Sequence, residues 1–170
     1  MNSYAKLTVL LCLAAAVFTV SCRRDREAAT PADIPRVIVM DAVPQFSDVM
    51  DRDWNLITLR RGSETTEIDR GAFAEVFGEV FTLRFEEERI SGVGFPNLFF
   101  GPYTLEDNQA ISIQPPASSL MAAIFEMEEL REHEYFAYLQ NVYRWNLIGG
   151  NLELHTRGED GTETVLVFAQ

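Results

Sequence analysis

The chain has 170 residues, is 47% hydrophobic, and carries 26 acidic against 14 basic side chains for a net charge of −12. Acidity of that size with no basic face excludes a nucleic-acid binder, and it leaves no charge-based hold on an anionic lipid surface. Lys6 is the only lysine, so neither a Schiff-base lysine nor a phosphate-loop lysine exists beyond it.

The N-terminus reads as an export signal. Lys6 supplies a positive start, and an apolar run of about 14 residues over 7–20 follows, broken only by Thr8 and Thr19. That is short of the roughly 20 residues a membrane-spanning helix needs, and it fits a signal-peptide core. Ser21 stands directly before Cys22, and the chain turns polar at once with Arg23, Arg24, Asp25 and Arg26. A small residue before a cysteine at this place resembles a bacterial lipobox, where the thiol receives a diacylglyceryl group and the cysteine becomes the new N-terminus. Thr19 stands where that pattern usually has leucine. The expectation is a lipoprotein signal peptide over 1–21, lipidation at Cys22, a tether over 22–35 and one domain over 36–170. Plain cleavage with an unmodified Cys22 is the alternative. Cleavage removes Cys12, the other cysteine, so the mature chain forms no disulfide and holds no cysteine-built zinc site or thiol nucleophile in its domain.

Arg36, Val37, Ile38, Val39 and Met40 form a candidate strand, apolar on both faces. Residues 44–53 are polar and ambiguous. Residues 54–59 are strand-like, with Trp54 and Leu56 at period two, while 60–69 read as a loop and 72–77 as one helical turn between Gly71 and Gly78. The clearest strand covers 80–89: Phe81, Leu83 and Phe85 lie on one face, Thr82, Arg84 and Glu86 on the other. Residues 92–103 hold three glycines, two prolines and four aromatics without a charge. Glycine allows close backbone approach and proline suits a bend, so this stretch is expected to be a sharply bent strand pair with its aromatics buried. A turn at 106–108, a short strand over 110–114 stopped by Pro115 and Pro116, and a helix over 126–140 follow. The helix carries an apolar stripe of Tyr135, Phe136 and Leu139. Glu132 shares that stripe, so it is expected at the rim or paired, because an unpaired buried charge is costly. A β-meander closes the chain, with Tyr143, Trp145 and Leu147 alternating, a hairpin turn at Gly149 and Gly150, a second turn over 158–161 and a last strand over 165–168.

With these residues in view, the chain resembles the META domain (HslJ-like) family over about residues 53–168. Asn97, Gly101 and Tyr103 match its N-x-x-x-G-x-Y segment, downstream of Gly92. Ser119 and Met121 stand in its threonine–methionine segment, Glu132 and Leu139 match its helix, and Trp54 is its early tryptophan. The family's two cysteines fall on Pro96 and Ala123, so no disulfide or paired thiol carries over. The resemblance implies an α+β fold: a strongly curved antiparallel sheet, open or barrel-like, with one packed helix. The matched residues are of the fold-keeping kind. Tyr103 and Met121 are expected in the core and Asn97 is expected to satisfy backbone groups in the bend; the alternative is that Asn97 and Tyr103 line a pocket.

Candidate chemistry is sparse. His133 and His155 are the only histidines and lack the H-E-x-x-H spacing of a zinc site. Glu86, Glu87 and Glu88, and the acids between 126 and 134, lack the spacing of a calcium loop and read as solvated surface. No nucleophile motif appears. The expected protein is a non-enzymatic envelope lipoprotein without cofactor or metal, held to the membrane by its N-terminal lipid and binding an envelope protein or supporting envelope integrity. Arg23 after the cysteine favours the outer over the inner membrane. The alternative is a small-ligand carrier or periplasmic enzyme with a site inside the curved sheet.

Overall fold

The computed structural model describes residues 43–71, 73, 75, 78–122, 127–158 and 160–170. The signal peptide, Cys22, the tether and the strand expected over 36–40 lie outside the described residues, as do Ala123 and most of the turn expected over 72–77.

Ten strands make one sheet: β1 (Asp53–Arg61), β2 (Glu64–Glu67), β3 (Thr82–Phe85), β4 (Arg89–Val93), β5 (Leu98–Leu105), β6 (Ile111–Ile113), β7 (Ala117–Ser118), β8 (Val142–Ile148), β9 (Asn151–Arg157) and β10 (Glu163–Ala169). All pairings are antiparallel. The order is β6-β5-β4-β3-β1-β10-β9-β8, with β2 added to β1 and β7 to β5. The ends of this order meet: Ala110 bridges Arg144, and the Trp145 N–H donates to the Gln109 carbonyl at 3.0 Å. The sheet is therefore nearly closed and barrel-like, which removes most of the free edge that would invite pairing with other chains. The longest helix among the described residues, α1 (Glu132–Gln140), packs on it. The architecture is mainly β, and the expected α+β class gives the helix too much weight.

Period-two alternation directs the core. Trp54, Leu56, Leu83, Phe85, Leu152, Leu154, Leu166 and Phe168 are all fully buried. A bulge between Leu56 and Thr58 shifts the register of β1 against β10 and turns Leu59 inward opposite Leu166. Rings fill the interior. Phe46 lies 5.2 Å from Phe85 and 5.1 Å from Trp145, and Phe85 lies 5.3 Å from Tyr103. Tyr135 from α1 stands 5.2 Å from Phe81 and 5.9 Å from Phe99.

Four local expectations are corrected. The strand expected over 80–89 breaks after Phe85, where the Glu86 N–H donates to the Arg89 carbonyl at 2.8 Å and closes a turn; three successive carboxylates are better solvated at a hairpin tip than alternated across a sheet. The loop expected over 60–69 is a hairpin of β1 and β2. The helix begins at Glu132 rather than near 126, because Met127 and Leu130 are both buried in an irregular approach; Arg131 N–H then donates to Glu134 Oε2 at 2.9 Å, capping the first turn. Tyr143 does not alternate inward with Trp145, since a register shift between Val142 and Arg144 turns it out.

Tyr135 also supplies a pH signature. Its hydroxyl donates to the Thr82 carbonyl at 3.0 Å, and burial pushes its pKa far up. An unfolded tyrosine ionises near about pH 10, while the folded one keeps its proton. The unfolded state thus loses protons first, and stability falls as pH rises past that value. In urea titrations from about pH 9 to 11, wild type is expected to lose stability more steeply than Tyr135→Phe; equal slopes would refute this.

Candidate functional site

The matched residues converge on one hydrogen-bonded clamp. β4 and β5 are joined by a tight turn in which the Gly94 N–H donates to the Asn97 carbonyl at 2.7 Å. This turn leaves other donors pointing away from the sheet, and Glu132, in the first turn of α1, receives them. Its Oε1 accepts from the N–H groups of Phe95 and Asn97, each at 2.7 Å, and its Oε2 accepts from Asn97 Nδ2 at 2.6 Å. A carboxylate accepts such bonds more strongly than a neutral oxygen. Gly94 permits the approach, because a Cβ there would lie 2.5 Å from Glu132 Oε1.

Asn97 is buried and passes the connection on. Its Oδ1 accepts from Ser119 Oγ at 2.8 Å and from Met121 N–H at 2.7 Å, and its Nδ2 also donates to the Met121 carbonyl at 3.2 Å. One carboxamide therefore brackets the segment after β7, while one carboxylate ties the hairpin to the helix. Glu132 is half-buried, and both its oxygens accept hydrogen bonds, in line with the expectation that it lies at the rim or has partners. The groups Asn97 satisfies lie mainly across the fold, at 119–121, rather than in its own bend.

The other matched residues keep the scaffold. Trp54 Nε1 donates to the Val49 carbonyl at 2.8 Å, and the Tyr103 hydroxyl donates to the Glu86 carbonyl at 2.8 Å. Leu139 is fully buried. Gly101 lies against Pro116, whose Cα would be 3.0 Å from an added Cβ.

Two expectations fail at this place. Phe100 and Met121 are not core residues, being 58% and 52% exposed, and Leu98 and Leu120 are exposed beside them in sequence at 62% and 98%. Period two explains β5: with Phe99, Gly101 and Tyr103 inward, Leu98 and Phe100 must face out. Phe100 stands opposite Ser91 on one side and Ala117 on the other. An open groove of about 400 Å³ runs beside it over the outer face of β3, β4 and β5, with Val93, Leu98 and Phe100 on its apolar side. Arg84, bonded to Asp53 at 3.0 Å, lies on its polar side.

The histidines stand apart from this face. His133 is exposed on α1. His155 Nδ1 lies 2.8 Å from Glu163 Oε1, and this bond holds the Glu163 carboxyl below its usual range. Among the described residues no group of three or more His, Cys, Asp or Glu is placed to hold a metal ion.

The model of the META domain family matches residues 47–170. The chain belongs to the META domain family. Its clamp residues all fall inside the matched span. The META domain is also similar in fold to an NMR structure of a protein from Burkholderia xenovorans, with a TM-score of 0.54 and 16% identity over 76% of this chain and 91% of that one. A crystal structure of a DUF4847 family protein from Bacteroides vulgatus is similar with a TM-score of 0.52 and 12% identity, over 73% of this chain and 95% of that one. At those identities the likeness is one of fold, and a fold does not carry a function with it. None of the curated proteins matches the chain.

Proposed function

We propose that this protein is a membrane-anchored envelope lipoprotein, held through a lipid on Cys22, whose META domain is a non-enzymatic binding module. The observation that supports it is the outward pair Leu98 and Phe100 on β5, with Leu120 and Met121 also exposed just after the strand paired to it. A soluble domain rarely keeps several large apolar side chains together on its surface without a use for them, and such patches mark protein contact sites. The anchor, the tether and the outer-membrane address rest on the sequence at residues 1–35. The alternative reading, a small-ligand carrier or periplasmic enzyme with a site inside the sheet, draws less support, because Phe46, Phe85, Tyr103 and Trp145 fill that interior with ring contacts.

Two measurements test the reading. Mass spectrometry of the N-terminal peptide from the native membrane is expected to find a diacylglyceryl mass on Cys22; an unmodified cysteine defeats the anchoring. The full chain, solubilised in mild detergent and used as bait on envelope extracts, is expected to recover a partner that the double variant Leu98→Ser/Phe100→Ser recovers about tenfold less well, since removing central aromatic anchors costs an interface more than 1 kcal/mol. Both side chains are exposed, so the variant's melting temperature should change little. Equal recovery by the two proteins would remove the binding face from the proposal.

A further inference from the structure

We infer that Met121 is a site of selective, reversible oxidation by peroxide, and that its oxidation makes this outer face polar without unfolding the domain. The effect on a partner rests on the binding role proposed above; the selectivity of the chemistry does not.

The cysteines are Cys12 and Cys22, so residues 23–170 contain no thiol. Thioethers are then the readiest two-electron reductants in the domain. Of the described methionines, Met121 is 52% exposed, Met50 is half-buried, and Met127 is 1% exposed. Reaction at Met127 requires an opening of the fold, whereas Met121 is accessible in the folded state. The Met121 backbone is bracketed on both sides by the Asn97 carboxamide, at 2.7 Å to its N–H and 3.2 Å to its carbonyl. That bracket fixes the place where the side chain leaves the fold. On the Met121 side it uses main-chain atoms alone, so a change at the sulfur leaves it intact.

The step balances with peroxide as oxidant. A sulfur lone pair attacks one peroxide oxygen, the O–O bond breaks, an S–O bond forms, and proton transfer releases water. Sulfur loses two electrons and peroxide gains them. The product replaces a flexible apolar side chain by a polar one, next in sequence to Leu120 and close to Leu98, whose carbonyl accepts from the Ser119 N–H at 3.0 Å. Methionine sulfoxide reductases, acting with a thiol reductant, reverse it.

The test exposes the full-length protein to limiting hydrogen peroxide. Tryptic digestion leaves Met121 and Met127 on one peptide between Arg89 and Arg131, and fragmentation assigns the added oxygen. Met121 sulfoxide is expected to form roughly tenfold faster than Met127 sulfoxide, and faster than Met50 sulfoxide. The treated protein should elute earlier from a hydrophobic-interaction column with its melting temperature unchanged. Met121→Gln should elute early before treatment, and Met121→Leu should not shift on treatment. Oxidation of Met127 or Met50 at the pace of Met121, an equal shift in Met121→Leu, or a fall in melting temperature that tracks Met121 sulfoxide would each overturn the inference. These readouts need no partner, so their failure is distinct from failure of the bait experiment.

Discussion

Glu132→Ala is expected to destabilise the META domain by about 3 kcal/mol, the largest loss from any single side chain of the helix surface. The carboxylate accepts three hydrogen bonds, two from main-chain N–H groups and one from the Asn97 side chain. Bonds to a charged acceptor are worth roughly 1.5–3 kcal/mol each. The three share one acceptor and one turn, so they do not add in full. Phe95 and Asn97 are 4% and 6% exposed, and water reaches their donors poorly once the carboxylate is gone. Asn97 would also lose the partner that orients it toward Ser119 and Met121. Glu132→Gln should lose about half as much, because the amide keeps one acceptor oxygen but turns an NH₂ group toward donors. Urea denaturation with a constant m-value measures both. A loss below about 1 kcal/mol for Glu132→Ala would mean that the clamp is an ornament on a hairpin already stable by itself.

Gly92→Ala should be comparably damaging for a different reason. A Cβ at Gly92 would overlap the Thr82 carbonyl oxygen and sit 2.8 Å from Phe99 Cζ. The first obstacle is backbone in the neighbouring strand, and that same carbonyl accepts from the buried Tyr135 hydroxyl at 3.0 Å. A flexible side chain could swing aside, but a paired strand cannot. Overpacking of this kind costs about 3 kcal/mol when the backbone must move. Gly62→Ala is the control. It meets nothing within 4 Å but has a φ of +58°, so it should cost only about 1 kcal/mol of left-handed strain. Thermal melts of the two variants should differ by several degrees, at roughly 2–4 °C per kcal/mol for a chain of this size. Equal melting temperatures would show that β3 and β4 can part without penalty.

These two expectations mark the boundary between what was legible in the residues and what was not. Trp54, Leu83 and Phe85 were placed in the core by alternation alone, and Gly149 with Gly150 marked a turn whose φ values are +59° and +86°. Such signals are local, because a side chain two residues away shares a face whatever the rest of the chain does. Phe100 and Met121 depart from expectation because hydrophobicity alone does not specify burial. Which face of β5 looks inward depends on Tyr103 and Phe99 packing against Phe85 and Tyr135 from other elements. The turn at Glu86, the bulge at Tyr143 and the late start of α1 leave no local signal likewise, since each is decided by contacts with distant segments.

By itself the sequence determined a β-rich domain, the glycines at its tight places, and the need for Glu132 to have partners. Only the tertiary structure decided who those partners are, since the donors of 95–97 and the carboxylate of 132 are some 35 residues apart and meet only when the helix docks. It also decided that the apolar residues at 98, 100, 120 and 121 look outward. The physical reason is the same in both cases. Residue type states what a side chain requires, whereas the packing of distant segments determines where that requirement is met.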